Sequence, residues 1–197
     1  MREVILIKTG EIALKGLNRG SFEDILVKNI RWRLKPFGKF EIQRAQSAIT
    51  LQPLSDDIDL DEVCEAVGKI FGIAAYSRAL VTEKDFETIR RDAVVYLESA
   101  MEDIRTFKVE AKRSDKRFPY TSPEISAELG GDLLQAYPHL KVDVRHPDMT
   151  VMVEIRDYAA YIHGPQIEGA GGLPVSSSGQ AMLLISGGID SPVAGYM

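Results

Sequence analysis

A single cysteine, Cys64, and three scattered histidines leave little room for two common chemistries. One thiol excludes an internal disulfide, and the histidines have no zinc-ligand spacing, so no metal site is expected. Cys64 lies among Val63, Ala66 and Val67, a setting that favours a buried helical thiol over a reactive one. Long apolar runs are also absent. No segment approaches the length that spans a bilayer, and the stretch from Met1 to Leu6 has no signal-peptide cleavage pattern, so a cytoplasmic, membrane-free protein is expected. Internal repeats are missing too. What is present is a chain of 197 residues, 45% hydrophobic and 27% charged, enough for one large or two small globular domains. A net charge of −5 argues mildly against a nucleic-acid partner, although local distribution can override the total.

The densest signal stands near the end, at Ser186-Gly187-Gly188-Ile189-Asp190-Ser191. The apolar run Ala181 to Ile185 before it predicts a buried strand, and the glycine pair permits a tight turn with no Cβ atoms crowding a ligand. Ser191-Pro192 predicts a helix start, whose free backbone N–H groups suit phosphate. A Walker loop would need Gly-Lys-Ser/Thr, and a dinucleotide fingerprint a third glycine; both are missing.

Upstream, the pattern predicts two α/β units. Residues 2–9 read as a strand; Ser21 is expected to cap a helix with Phe22, Ile25, Leu26, Asn29 and Ile30 on one face. Phe40 to Arg44 and Ala48 to Leu51 follow as strands joined by a short turn. A helix opening at Asp59 or Asp61 and a strand from Ile73 to Val81 complete a ferredoxin-like order. In the second unit a helix from Phe86 to Met101, a strand from Thr106 to Ala111 and a helix starting at Ser122-Pro123 precede strands at Val142 to Val144, Thr150 to Ile155 and Ala159 to His163. A Gly-, Ser- and Pro-rich stretch then leads to the glycine pair.

Two basic stretches bear on partners. Lys28, Arg31, Arg33, Lys35 and Lys39 interleave with Trp32 and Phe37, which fits either a solvated helix face or a nucleic-acid contact. Lys108, Lys112, Arg113, Lys116 and Arg117 form the stronger RNA candidate; Phe118 beside them either stacks on a base or fills the core. Arg145 and His146 are weaker candidates.

Ser186-Gly-Gly-x-Asp-Ser after an apolar run resembles the PP-loop of ATP pyrophosphatases. With Thr9 to Gly16 and Asn18-Arg19 near the start, and Lys112 to Pro119 in the middle, the whole chain resembles the tRNA 4-thiouridine synthetase (tRNA sulfurtransferase) family. The resemblance implies an N-terminal ferredoxin-like domain over residues 1–60, or to about 80, and a THUMP RNA-binding domain over 61–165. A linker at 166–179 and the start of a PP-loop domain from 180 would follow. It implies that Ser186, Gly187, Gly188, Asp190 and Ser191 cradle the phosphates of ATP while the backbone of Leu183 and Leu184 meets the adenine; Asp190 either helps hold Mg2+ or orients the loop. It implies adenylation of a tRNA uridine at position 8, sulfur transfer from a persulfide supplied by a cysteine desulfurase, sulfur supply for the thiamine thiazole, contact with the tRNA acceptor end, and a homodimer. No sulfur-carrying cysteine can be assigned, since Cys64 matches no such position, and the piece alone is expected to be inactive. Readings of other classes are a stand-alone RNA-binding module and a PP-loop ligase acting on a small molecule. The latter would not need two α/β units ahead of the loop.

Overall fold

A computed structural model describes residues 1–45 and 48–196. The first unit runs β1 (Arg2–Thr9), α1 (Arg19–Leu34), β2 (Phe40–Ala45), β3 (Ala48–Pro53), α2 (Leu60–Gly68) and β4 (Ile73–Thr82), the ferredoxin-like order the sequence predicts. The second contains α3 (Phe86–Glu102), β5 (Thr106–Arg113), α4 (Ser122–Ala136), β6 (Lys141–Val142), β7 (Met149–Ile155) and β8 (Ala160–His163). The short β9 (Ile167–Glu168) and α5 (Asp190–Tyr196) follow. The turn expected between β2 and β3 falls on residues 46 and 47, outside the described residues.

Caps decide where several helices begin. Asp59 accepts from the N–H groups of Asp61 and Glu62, Asp85 from that of Thr88, and Thr121 forms a reciprocal box with Glu124. The cap of α4 is thus Thr121, one residue before the Ser122-Pro123 pair. The expected cap at Ser21 does not form. Two 3-10 turns, Glu11–Leu14 and Gly16–Asn18, feed the chain directly into α1 at Arg19, whose side chain pairs with Glu23 at 2.6 Å. Val144 likewise leaves the expected strand. Asp143 Oδ1 accepts from the backbone N–H groups of Arg145 and His146, closing a turn that ends pairing at Val142.

One sheet runs through both units in the order β2-β3-β1-β4-β8-β7-β5-β6. Strand β4 is the shared member: one edge pairs with β1 along its length, while the other carries β8 at Ala79–Thr82 and β9 at Ala75 and Tyr76. The helices cover one face. Alternation then sorts the side chains, with Ile5, Ile7, Ile73 and Tyr76 joining Leu26, Ile30, Val63 and Val67 in the first core. In the second, Phe107, Val151, Val153 and Ile162 meet Ile89, Leu97, Ile125 and Leu129. A smaller cluster of Val4, Leu6 and Ala79, with Val81 and Tyr161 against it, lies on the opposite face.

A polar knot ties the units together on the helical side. Arg78 on β4 donates two bonds of 2.7 Å to Glu3 on β1 and one of 2.7 Å to Asp61 on α2, and Tyr96 on α3 donates to Glu3 at 2.9 Å. Burial would raise the Glu3 carboxyl, but the bonds from Arg78 and Tyr96 hold it below the usual range. Cys64 is buried as the sequence predicts, and burial pushes its thiol up to about 11.

Beyond His163 the chain does not leave the sheet. Gly169 N–H donates to Ala74 O at 2.9 Å, Gly171 N–H to Ile73 O at 2.8 Å, and Gly72 N–H to Gly171 O at 2.7 Å. Asn29 on α1 then donates to Val175 O at 3.1 Å. Much of the glycine-rich stretch is therefore a strap laid along β4.

Candidate nucleic-acid interface

Strand β5 displays the central basic stretch by alternation. Phe107, Val109 and Ala111 turn toward the helices, so Lys108, Glu110 and Lys112 occupy the opposite face. Lys108 is paired with Glu110 at 2.6 Å; Lys112 is exposed. Arg113 turns back and donates to the carbonyls of Phe118 and Tyr120, both at 2.9 Å, which closes the loop after β5. Of the two alternatives for Phe118 the structure takes the core: the ring is 5% exposed and packs in the second hydrophobic cluster. Asp115 organises the same loop. It receives Lys84 at 2.5 Å and Arg117 at 3.0 Å, and these partners, Arg117 first, hold its carboxyl well below the ordinary range. Arg117 remains 84% exposed despite this pair, and Lys116 is exposed beside it.

Arg145 and His146 stand elsewhere. They are exposed in the turn after β6, at the end of the sheet where β5 begins, whereas Lys112, Lys116 and Arg117 lie where it finishes. Seven residues of strand separate the groups by roughly 23 Å.

A cavity of about 420 Å³ adjoins the end of β5, at the seam between the two units. Lys8 and Thr9 of β1 line it from the first unit; Lys112, Ser114, Glu154 and Arg156 line it from the second, with Asp157 at its edge. Glu154 fixes Arg156 by bonds of 3.0 and 2.7 Å to one oxygen, and the guanidinium lies 4.8 Å from the centre of the Tyr161 ring. Lys8 is held below the ordinary lysine range, by burial and by the nearby charges of Lys112 and Arg156, against the opposing pull of Glu154. Among the described residues the buried Thr9 Oγ1 has no hydrogen-bond partner. Converging cations and a spare hydroxyl suit an anion. Sequence reading missed Lys8 and Arg156 because each is a lone cation in its own segment. Only the pairing of β1, β4, β8 and β7 brings them together.

Burial would raise the Glu154 carboxyl, yet His163 and Arg156 hold it down to about 2. The His163 Nε2 contact of 3.6 Å is too long for a hydrogen bond and becomes an ion pair only when the imidazole is protonated. Because the folded carboxyl lies below its unfolded value of about 4.3, its stabilisation is present above that pH and is lost as the pH falls toward 2. Denaturation from pH 6 to 2 should show the wild type losing about 2–3 kcal/mol more than Glu154→Gln. Parallel curves for the two proteins would contradict this assignment.

The C-terminal glycine loop closes on its two serines. Ser186 N–H donates to Ser191 Oγ at 3.0 Å, the two hydroxyl oxygens are 3.3 Å apart, and Gly188 N–H donates to Ser186 Oγ at 3.3 Å. Helix α5 starts at Asp190, as the Ser191-Pro192 signal predicts. Residues 181–185 form no strand, contrary to expectation, and Leu183 and Leu184 are 45% and 87% exposed. A strand requires a neighbour to satisfy its backbone, and no described strand lies beside this run. No helix among the described residues is long and apolar enough to cross a membrane.

Comparison with known proteins agrees with this layout. The ThiI ferredoxin-like domain matches residues 4–77, the THUMP domain residues 83–163, and the thiamine biosynthesis protein (ThiI) family residues 176–197. A protein of Acetivibrio thermocellus named as a probable tRNA sulfurtransferase is 46% identical over the whole of this chain and half of its own length. A 4-thiouridine synthetase solved in complex with RNA and bound ATP superposes with a TM-score of 0.85 at 37% identity, over 99% of this chain and 49% of that one. PH1313 of Pyrococcus horikoshii Ot3 superposes with a TM-score of 0.76 at 32% identity, over 88% of this chain and 57% of that one. The chain thus spans about half the length of the curated relatives it matches. A ferredoxin-like domain, a THUMP domain and the opening of the ThiI domain, in that order, place this chain in the tRNA sulfurtransferase (ThiI) family.

Proposed function

We propose that the chain is the tRNA-gripping part of a tRNA sulfurtransferase, and that the seam between its two units holds the RNA backbone. The observation that carries this reading is the cavity where Lys8 of one unit meets Lys112 and Arg156 of the other, with Lys116 and Arg117 exposed on the loop that follows β5. Lysine and arginine there contact phosphates, so they supply affinity and salt dependence, while the shape of the RNA and its unpaired acceptor end supply selectivity. The division between the units falls at the end of β4. In support, α2 packs with α1 in the first core and the two domain matches meet between residues 77 and 83.

In the whole protein the reaction would follow from what a carbonyl oxygen lacks. Bound to C4 of uridine 8 it is a poor leaving group; adenylation by ATP, with release of pyrophosphate, would turn it into a good one, AMP. The terminal sulfur of a persulfide would then attack C4 as AMP departs, leaving that sulfur bonded to both C4 and the carrier. Attack of a second thiol on the carrier sulfur would break the S–S bond, form a disulfide and free 4-thiouridine. Ser186, Gly187, Gly188, Asp190 and Ser191 would hold the ATP phosphates, with Asp190 either helping to hold Mg2+ or orienting the loop and the backbone of Leu183 and Leu184 at the adenine. A cysteine desulfurase would supply the persulfide, and the same sulfur would serve thiamine thiazole synthesis in a cytoplasmic homodimer. This chain by itself would bind RNA without turnover.

Fluorescence anisotropy with full-length tRNA and with tRNA trimmed at its 3′ end, across a salt series, tests the reading. Tight, salt-sensitive binding that weakens on trimming is expected. Equal affinity for both RNAs would contradict the acceptor-end assignment, and absence of binding would contradict RNA recognition by these units.

A further inference from the structure

Helix α1 carries an outer face that neither the fold nor the seam uses. Leu26, Val27, Ile30 and Leu34 point into the first core. Lys28, Arg31, Trp32 and Lys35, at spacings of three and four, line up on another side of the helix over about 10 Å. All four are exposed, and among the described residues none of the three cations forms an ion pair. Trp32 is 75% exposed, although a side chain of this size is usually well buried. At the end of the stripe a groove of about 320 Å³ places Leu34, Phe40 and Leu54 beside Arg31, Lys35 and Lys39. In a chain of net charge −5, an unpaired cationic stripe with an aromatic ring in its middle is an unusual concentration.

We propose that this outer face of α1 is a second RNA contact, one that stacks an unpaired base on Trp32 and holds the flanking phosphates on Lys28, Arg31 and Lys35. The inference rests on the RNA-binding reading given above but uses a different surface. Cations spaced along a helix with an aromatic ring between them match the requirements of single-stranded nucleic acid: point charges for the backbone and a flat apolar face for a base. An acidic protein segment would answer the charges but has no comparable use for the exposed ring.

Trp32 is the only tryptophan in the chain, so its fluorescence reports on this face directly. Titration of the protein with an oligouridylate eight nucleotides long, and separately with tRNA, should quench it saturably at low salt. Anisotropy of labelled oligouridylate should show roughly five- to tenfold weaker binding by Trp32→Ala, with most of the affinity kept by Trp32→Phe. Arg31→Ala and Lys35→Ala should each lower the salt slope by about one. Binding by anisotropy with unchanged tryptophan emission would overturn the inference and leave the seam reading standing. Equal quenching by polyglutamate would overturn it in favour of an acidic protein partner. No binding of either RNA would overturn both readings. Unfolding curves matching wild type would confirm that each variant is folded, as expected for exposed positions.

Discussion

Gly169→Ala is expected to peel the strap from β4. A Cβ at this position would lie 2.3 Å from the carbonyl oxygen of Ile73, and that oxygen belongs to a backbone fixed in the sheet. The side chain cannot turn away, because Cβ has no rotamer; the strap must move instead. It would lose the bonds from Gly169 N–H to Ala74 O and from Gly171 N–H to Ile73 O, and with them that from Gly72 N–H to Gly171 O. At about 0.5–1.5 kcal/mol each, the three amount to roughly 2–4 kcal/mol of local stability. Hydrogen exchange should therefore accelerate at residues 167–175 while the core amides of β1 and β7 stay protected. Gly131→Ala provides the contrast. It sits in α4 with nothing within 4 Å of the added carbon, so alanine should leave stability unchanged or raise it by about 0.5–1 kcal/mol. Unaltered exchange in Gly169→Ala would mean that the strap has no fixed seat.

Reversing charge at the seam should have the larger effect on function. Lys8→Glu and Lys112→Glu together remove the two cations, one from each unit, that are proposed to contact phosphate, and place two further carboxylates beside Glu154 and Asp157. A hydrogen bond to a charged group contributes about 1.5–3 kcal/mol, so losing two should lower tRNA affinity by at least roughly 100-fold at low salt. The single variants should each show a smaller loss of the same kind. Lys108→Glu should matter much less, since Lys108 is already neutralised by Glu110. Comparable losses at Lys108 and at Lys8 would indicate a diffuse electrostatic attraction rather than a built seam.

The ferredoxin-like order was legible because α1 and α2 repeat apolar residues at helical spacing, and because Asp59 stands where a cap is needed. The second unit was legible in the same way from Phe86 to Ile155. Errors came where local signals met longer-range ones. The apolar run at residues 181–185 has strand composition, but composition cannot supply a neighbouring strand. Val144 has strand propensity, yet the side chain of Asp143 offers the backbone a turn. The basic stretch after β5 was visible as charge, whereas its division of labour was not. Arg113 spends its donors on two carbonyls, Lys108 meets Glu110 and Arg117 meets Asp115, so among the described residues Lys112 and Lys116 are the cations of this stretch with neither an acidic nor a carbonyl partner. Nor could the strap be read from glycine content, which signals freedom in a linker but here permits close approach to Ile73 and Ala74.

Hydrogen exchange with and without full-length tRNA tests most directly whether the two units form one RNA-binding surface. Simultaneous protection at the end of β1 around Lys8 and Thr9 and at residues 112–118, lost together in Lys8→Glu/Lys112→Glu, is the expected result. Protection confined to the second unit would contradict a composite site at the seam.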